Sequence, residues 1–136
     1  MLTHLLDTSA VLAHRQGERG SDIVQALFDD KSNRLGICVV TILEFHMRLH
    51  VLGLNEAERE AEVARYTTLF DLIVPVTKSV CAIAVRLKLG STSRLPSIDS
   101  LIAASAQFHD ATLVHRDPHF LSVPATLLRQ ELLPEK

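Results

Sequence analysis

Short runs of aliphatic residues alternate along the chain with longer segments in which apolar residues recur every three or four positions. The first pattern is typical of buried strands, and the second is typical of helices that bury one face. We expect strands at residues 2–6, 35–40, 72–76 and 111–115, and a last short strand within 120–133.

Helices are predicted between these strands, because capping residues and glycines mark where a helix begins and ends. The predicted helical segments are 10–14, a helix capped by Ser21–Asp22, 41–51, 56–70, a helix from Thr77 to Leu89, and 97–109. In the segment 56–70 the inward residues are expected to be Ala57, Ala61, Ala64 and Leu69. Aliphatic strands that alternate with helices indicate a parallel sheet covered on both faces. The predicted fold class is therefore α/β, with one domain over residues 1–136, three layers (α/β/α) and four to five strands.

The composition agrees with an ordinary folded domain. The chain has 136 residues, of which 47% are hydrophobic and 22% charged, and this excludes a disordered tail, a fibre and a disulfide miniprotein. The longest uncharged stretch, 118–128, is too short to span a membrane. The first seven residues lack a basic leader, and Cys38 and Cys81 lie among aliphatic residues. We therefore expect a cytoplasmic protein whose two thiols are buried in a reducing compartment.

The net charge of −2, from 14 basic and 16 acidic residues, is not the basic footprint that marks many nucleic-acid-binding proteins. A polyanionic partner would need local positive charge or metal ions. The positions of the acidic residues are therefore more informative than their number.

Four acids stand at predicted element boundaries. They are Asp7, Glu44, Asp99 and Asp117. Parallel α/β sheets bind ligands at the carboxyl ends of their strands, near the point where the strand order reverses. Asp7, Glu44 and Asp117 are expected at that edge, whereas Asp99 reaches it only if the polar loop 90–97 brings the start of its helix there.

Each acid also has a local explanation. Thr41 and Glu44 fit a capping box, in which the glutamate binds a free backbone N–H at the helix start. Asp7 is suited to capping the first helix, Asp99 to the first turn of its helix, and Asp117 to opening a turn. The other acids fall mainly in solvated positions, which favours a shared role for these four.

If the four carboxylates converge, they raise one another's pKa and cannot all stay ionised without a cation. Mg²⁺ and Mn²⁺ prefer carboxylate ligands. Such a site activates water and stabilises the leaving oxygen of a phosphodiester. Metal-dependent phosphodiester hydrolysis is therefore a chemically consistent function.

Four segments carry a resemblance to a known family: 5–10, 41–45, 98–106 and 113–120. In order and context they resemble the PIN-domain ribonucleases, and especially the VapC-type toxins of bacterial toxin–antitoxin pairs. The third segment is the most specific, because Asp99 precedes a helix of small residues with an Ile-Ala-Ala-x-Ala pattern.

The resemblance implies a Mg²⁺- or Mn²⁺-dependent endoribonuclease that cleaves RNA, forms a homodimer and is inhibited by a cognate antitoxin. By motif match it assigns metal binding and catalysis to Asp7, Glu44, Asp99 and Asp117, with Thr8 and Ser9 assisting at the first acid. The chain departs from the family pattern at His119, where many relatives have another Asp. It also has Asp110 where a helix-ending glycine is common.

Further candidates come from individual side chains. Arg94 and Arg116 are suited to bidentate contact with phosphate oxygens, and His119 to contact with the substrate. The pairs His46/His50 and His115/His119 have the spacing of a helical zinc site, but the glutamate expected after the first His is absent.

Two rival functions remain open at this point. One is a degenerate PIN-like module that binds RNA or protein without cutting. The other is a phosphoacceptor signalling domain, which fits less well because Arg116 stands where that chemistry needs a lysine near the last strand. The apolar residues at 49, 51, 52 and 54 are open to two interpretations, as core or as a groove for a second copy or an antitoxin.

Overall fold

The computed structural model describes residues 1–136. Its strands are β1 (His4–Leu6), β2 (Leu35–Cys38), β3 (Leu72–Val74), β4 (Thr112–His115) and β5 (Gln130–Leu132). Its α-helices are α1 (Thr8–Arg15), α2 (Ser21–Asp29), α3 (Val39–Val51), α4 (Glu56–Thr67), α5 (Lys78–Gly90) and α6 (Ser97–Phe108), and a 3₁₀ turn covers Pro118–Ser122.

The five strands form one parallel sheet in the order β3-β2-β1-β4-β5. From β1 the chain moves outward through β2 to β3, and it then returns to the other side of β1 for β4 and β5. The strand order therefore reverses between β1 and β4. This is the place where a parallel α/β sheet opens a ligand crevice at its carboxyl edge.

Successive side chains of a strand face opposite sides of the sheet, and this divides the core in two. Leu5 and Leu113 belong to the core cluster under α5 and α6, whereas Leu6 and Val114 belong to the cluster under α1 to α4. Both clusters consist of buried side chains, so helices cover both faces of the sheet. The predicted three-layer α/β fold with a parallel sheet is confirmed.

Some local predictions were wrong. Helix α3 begins at Val39, because β2 makes its last sheet pair at Cys38. Helix α4 ends at Thr67, before the predicted end at residue 70, and its buried residues are Val63 and Tyr66. The four residues predicted to face inward are exposed: Ala57, Ala61, Ala64 and Leu69. Val63 and Tyr66 bury more apolar area than the alanines would. Cys38 is buried as expected, but Cys81 is exposed.

The apolar residues near the α3–α4 turn divide between the two interpretations. Leu49 belongs to the core and Leu54 is half-buried, whereas Val51 and Leu52 are exposed. None of the helices has the combination of length and apolar composition that is needed to cross a membrane.

Asp110 adopts a left-handed backbone conformation, with φ of 54°, between α6 and β4. It is the only residue other than glycine in this region of φ/ψ space. Aspartate tolerates this conformation better than most residues do. The departure from a helix-ending glycine therefore leaves the entry to β4 intact.

Candidate active site

A cleft of about 540 Å³ opens at the carboxyl edge of the sheet, bounded by α1, α3 and the segment after β4. Its lining includes all four acids singled out in the sequence: Asp7, Glu44, Asp99 and Asp117. Parallel strands alone bring Asp7 and Asp117 to this edge, since each follows one of two neighbouring strands.

Asp7 is buried at the end of β1 and caps α1. Its Oδ1 accepts hydrogen bonds from the Ser9 hydroxyl at 2.7 Å and from the Ala10 N–H at 2.9 Å. Both contacts end on Oδ1, so Oδ2 stays available to a ligand. Burial raises the pKa of Asp7 to about 7, and the charges of Asp117 and Asp99 act in the same direction. Asp7 therefore caps its helix, as the local explanation predicts, and also faces the other acids.

Glu44 lies in the second turn of α3 and accepts a 2.6 Å hydrogen bond from the Thr8 hydroxyl on α1. The capping-box interpretation is wrong. The cap position of α3 is Cys38, and the buried Thr41 hydroxyl has no hydrogen-bond partner. Glu44 is therefore held across the cleft by another helix and not by its own backbone.

Asp99 lies in the first turn of α6. Burial raises its pKa to about 6, with further contributions from the charges of Asp117 and Glu44. Its helix approaches the sheet closely because the buried face carries small residues, among them Ala103 and Ala104. Asp99 lines the cleft with the other three acids, so the start of α6 does reach the carboxyl edge.

Asp117 follows β4 and caps the 3₁₀ turn by accepting the N–H of His119 at 2.9 Å. The His119 ring Nδ1 lies 2.9 Å from Asp117 Oδ1 and 3.6 Å from Asp99 Oδ2. One ligand atom from each of these three side chains lies within 4.8 Å of the others. Carboxylate oxygens are the ligands that Mg²⁺ and Mn²⁺ prefer, whereas imidazole is more typical of transition metals such as zinc. The carboxylates of Asp99 and Asp117 therefore fit a divalent cation, and the ring of His119 borders that position.

His115 supports the Asp117 segment from inside the core. It is fully buried, and its Nδ1 accepts the N–H of Asp117 at 3.1 Å, so that the Nε2 proton is donated to Gln130 Oε1 at 2.8 Å. Gln130 in turn donates to the Phe120 carbonyl at 2.9 Å. Both ring nitrogens are thus engaged, and a zinc pair with His119 does not form. A spacing of four residues places two histidines on the same face only within a helix, and His115 lies on strand β4.

Arg116 lies in the cleft wall, with its side chain turned along the rim. Its backbone N–H donates to Ser9 Oγ at 2.8 Å, and its guanidinium contacts Glu18 Oε1 at 2.5 Å. Lys136 Nζ lies 3.1 Å from Glu18 Oε2. Burial opposes ionisation of Glu18, but hydrogen bonds from Arg116 and Lys136 hold its pKa below the usual value. Sequence reasoning missed Glu18 and Lys136, because nothing local connects residues so far apart in the chain.

Arg94 lies in the exposed loop between α5 and α6 and does not line the cleft. Its position therefore gives no support to the predicted phosphate contact. By contrast, α3 presents an exposed apolar stripe beside the acids. Leu43 and Met47 line the cleft, and Val51 continues the stripe beyond it.

The PIN domain family model matches residues 4–125. The chain belongs to the PIN domain family. This PIN domain has the same fold as a chain of VapBC2 from Rickettsia felis, solved with a promoter DNA fragment, at a TM-score of 0.76 and 17% identity, covering 98% of this chain and 100% of that one. A chain of FitAcB from Neisseria gonorrhoeae matches with a TM-score of 0.73 and 22% identity, and the match covers 94% of this chain and 96% of that one. A chain of DNA-bound VapBC from Salmonella typhimurium matches with a TM-score of 0.72 and 19% identity, and the match covers 96% of this chain and 98% of that one. Among curated proteins, no sequence matches this PIN domain.

Proposed function

We propose that this PIN domain is a Mg²⁺- or Mn²⁺-dependent endoribonuclease that acts as the toxin of a toxin–antitoxin pair. One observation carries the catalytic part: four acids from four separate chain segments line a single cleft at the point where the strand order reverses. Structural explanations of the separate acids do not account for this convergence. An uncompensated cluster of carboxylates is costly, and a divalent cation removes the cost.

Asp7, Glu44, Asp99 and Asp117 would hold the metal, which when bound supplies an activated water and charge stabilisation at the phosphate. Ser9 orients Asp7, and Thr8 orients Glu44. These hydroxyls assist the acids through hydrogen bonds and need no direct contact with RNA.

His119 stands beside two of the acids with its ring exposed. We assign it a contact with the RNA strand at the mouth of the cleft. An imidazole N–H donates to a phosphate oxygen there, at the position where many relatives have another Asp.

The toxin assignment rests on similarity. The likeness to VapBC and FitAcB chains supports a cognate antitoxin as partner, and the same likeness is the basis for proposing a cytoplasmic homodimer. The exposed apolar stripe on α3 is compatible with burial against another chain. Expression of the parent chain in a bacterium should arrest growth, whereas Asp99→Asn should relieve the arrest.

The enzymatic proposal is tested by incubating single-stranded RNA with purified protein in Mg²⁺, in Mn²⁺ and in EDTA. We expect cleavage only with metal, and a loss of more than about a hundredfold in Asp7→Asn and Asp99→Asn. Asp22→Asn is the matched control, because Asp22 is exposed on α2 and lies outside the cleft.

Cleavage that persists in Asp7→Asn and Asp99→Asn would overturn the assignment of the acids. RNA binding with neither Mn²⁺ uptake nor cleavage would favour the rival function, a PIN-like module that binds without cutting. Titration calorimetry with Mn²⁺ separates the two, since it reads metal binding without activity.

A further inference from the structure

Two cations share one carboxylate at the rim of the cleft. Glu18 binds Arg116 through Oε1 and Lys136 through Oε2. We call these three residues the cationic rim. The side chains of Glu18 and Arg116 are 18% and 13% exposed, whereas that of Lys136 is 71% exposed. One part of the rim is therefore fixed within the protein wall, and the other is open to solvent.

The cationic rim is tied to the acids by a short chain of hydrogen bonds. Ser9 Oγ accepts the N–H of Arg116 and donates its own proton to Asp7 Oδ1. The guanidinium also donates to the Arg19 carbonyl at 3.2 Å. These contacts fix the direction of Arg116 and hold its position relative to Asp7.

Charge in the cleft is unevenly distributed. Besides Glu18, the lining contains the four acids, and its only cations are Arg48, Arg116 and Lys136. The three side chains of the rim carry a net charge of +1, because Glu18 compensates only one of its two partners. An RNA strand that approaches the acids is repelled there, whereas the rim brings two of the three cations together and attracts a second phosphate.

We propose that the cationic rim binds a non-scissile phosphate of the RNA strand, with Glu18 acting as a positioning residue for Arg116 and Lys136. This inference rests on the proposed nuclease function and adds a substrate subsite to it. The guanidinium offers N–H donors in a planar fork that suits phosphate oxygens, and Lys136 adds a mobile point charge. A single phosphate then contacts two cations that one carboxylate already holds together.

The test measures binding separately from cleavage. A fluorescein-labelled single-stranded oligoribonucleotide is titrated with the Asp99→Asn variant in EDTA, so that no cleavage occurs and one repelling charge is absent. Anisotropy is recorded over a range of KCl concentrations. Lys136→Ala, Arg116→Gln and Arg116→Lys are added to this background, with Arg86→Ala as the control, since Arg86 is exposed on α5 and lies outside the cleft.

We expect Lys136→Ala and Arg116→Gln each to weaken binding about fivefold. Each should also reduce the slope of log K against log salt by about 0.7, the value for one phosphate contact on a single strand. Arg116→Lys should keep most of the slope, and Arg86→Ala should match the parent. The proposal is overturned if Lys136→Ala and Arg116→Gln have the same slope as Arg86→Ala. The three residues of the rim would then only stabilise the fold.

Two further readouts keep the test decisive. Thermal melting checks the fold of the Arg116 variants, and Lys136→Ala removes a largely exposed side chain, so its result stands without them. In cleavage assays with Mg²⁺, Lys136→Ala should raise KM about fivefold with kcat within about twofold, because the contact is equally strong in the ground state and the transition state. A parent chain that binds RNA through the rim but never cleaves it would refute the nuclease proposal alone.

Discussion

The hydroxyl of Thr8 donates a 2.6 Å hydrogen bond to Oε1 of Glu44, a residue 36 positions further along the chain. The contact joins α1 to α3 across the cleft. It also takes the place of the local contact that the Thr41-x-x-Glu44 pattern predicts, since Thr41 is left buried with no hydrogen-bond partner. Glu44 is thereby directed towards the other acids instead of the start of its own helix.

The first prediction compares the same substitution at the two threonines. In Thr41→Val a buried, unpaired hydroxyl is replaced by a methyl group, so the free energy of unfolding should stay within about 0.5 kcal/mol of the parent or rise. Thr8→Val removes a made hydrogen bond and should cost about 1 kcal/mol. Urea denaturation measures both. A loss of about 1 kcal/mol or more in Thr41→Val would restore the capping-box interpretation.

Much of this site could be predicted because it depends on simple rules. Asp7 and Asp117 directly follow strands, and parallel strands place their carboxyl ends at one edge. Asp99 was uncertain at the sequence level, because the path of the 90–97 loop is not encoded in any periodicity. Only the folded chain shows that Asp99 lines the cleft with the other three acids.

Other features could not be predicted, for physical reasons. Glu18 and Lys136 meet only after the whole sheet has formed, and no local pattern records such a contact. In α4 the alanines fit a helical face as well as Val63 and Tyr66 do. Which face is buried depends on the apolar area that each face covers against α1 and α3. The positions of α1 and α3 relative to α4 are known only in the folded chain.

The second prediction concerns stability without metal. The pKa values of Asp7, about 7, and Asp99, about 6, lie above the ordinary value of 3.8. The folded state therefore holds more protons than the unfolded state between about pH 4 and pH 7, and the contribution of these groups to stability is lost as pH rises through that window. Asp99→Asn should remove the part of this pH-dependent loss of stability that is due to Asp99. At pH 8 in EDTA the variant should therefore be as stable as the parent, or more stable by about 1 to 3 kcal/mol.

Urea denaturation at pH 5 and pH 8 checks this expectation. Burial lowers the pKa of His115 and acts in the opposite direction, so the informative quantity is the difference between parent and variant at each pH. Asp22→Asn controls for the removal of an exposed charge. If Asp99→Asn is clearly less stable than the parent at pH 8 in EDTA, Asp99 serves its helix and not a metal.

The third prediction adds the cation. A ligand that binds only the folded state stabilises it by about 2.7 kcal/mol at a hundred times its dissociation constant. Mn²⁺ should therefore raise the melting temperature of the parent at pH 8, and raise that of Asp99→Asn much less. The gain should be smaller at pH 5, because the carboxylates must lose protons to bind the ion. Equal shifts in both proteins at both pH values would place Mn²⁺ elsewhere on the molecule.

The fourth prediction tests the buried support of Asp117. In Gln130→Leu the Nε2 proton of His115 loses its acceptor and the Phe120 carbonyl loses a donor, so the free energy of unfolding should fall by about 1 to 3 kcal/mol. The segment that carries Asp117 is then less fixed, and calorimetry should show weaker Mn²⁺ binding by about tenfold or more. Gln25→Leu is the matched control, since exposed Gln25 also pairs with a histidine, His14, at 2.7 Å, and its loss should cost no more than about 0.5 kcal/mol. Equal stability and equal Mn²⁺ affinity in the two variants would show that His115 fills space in the core without positioning Asp117.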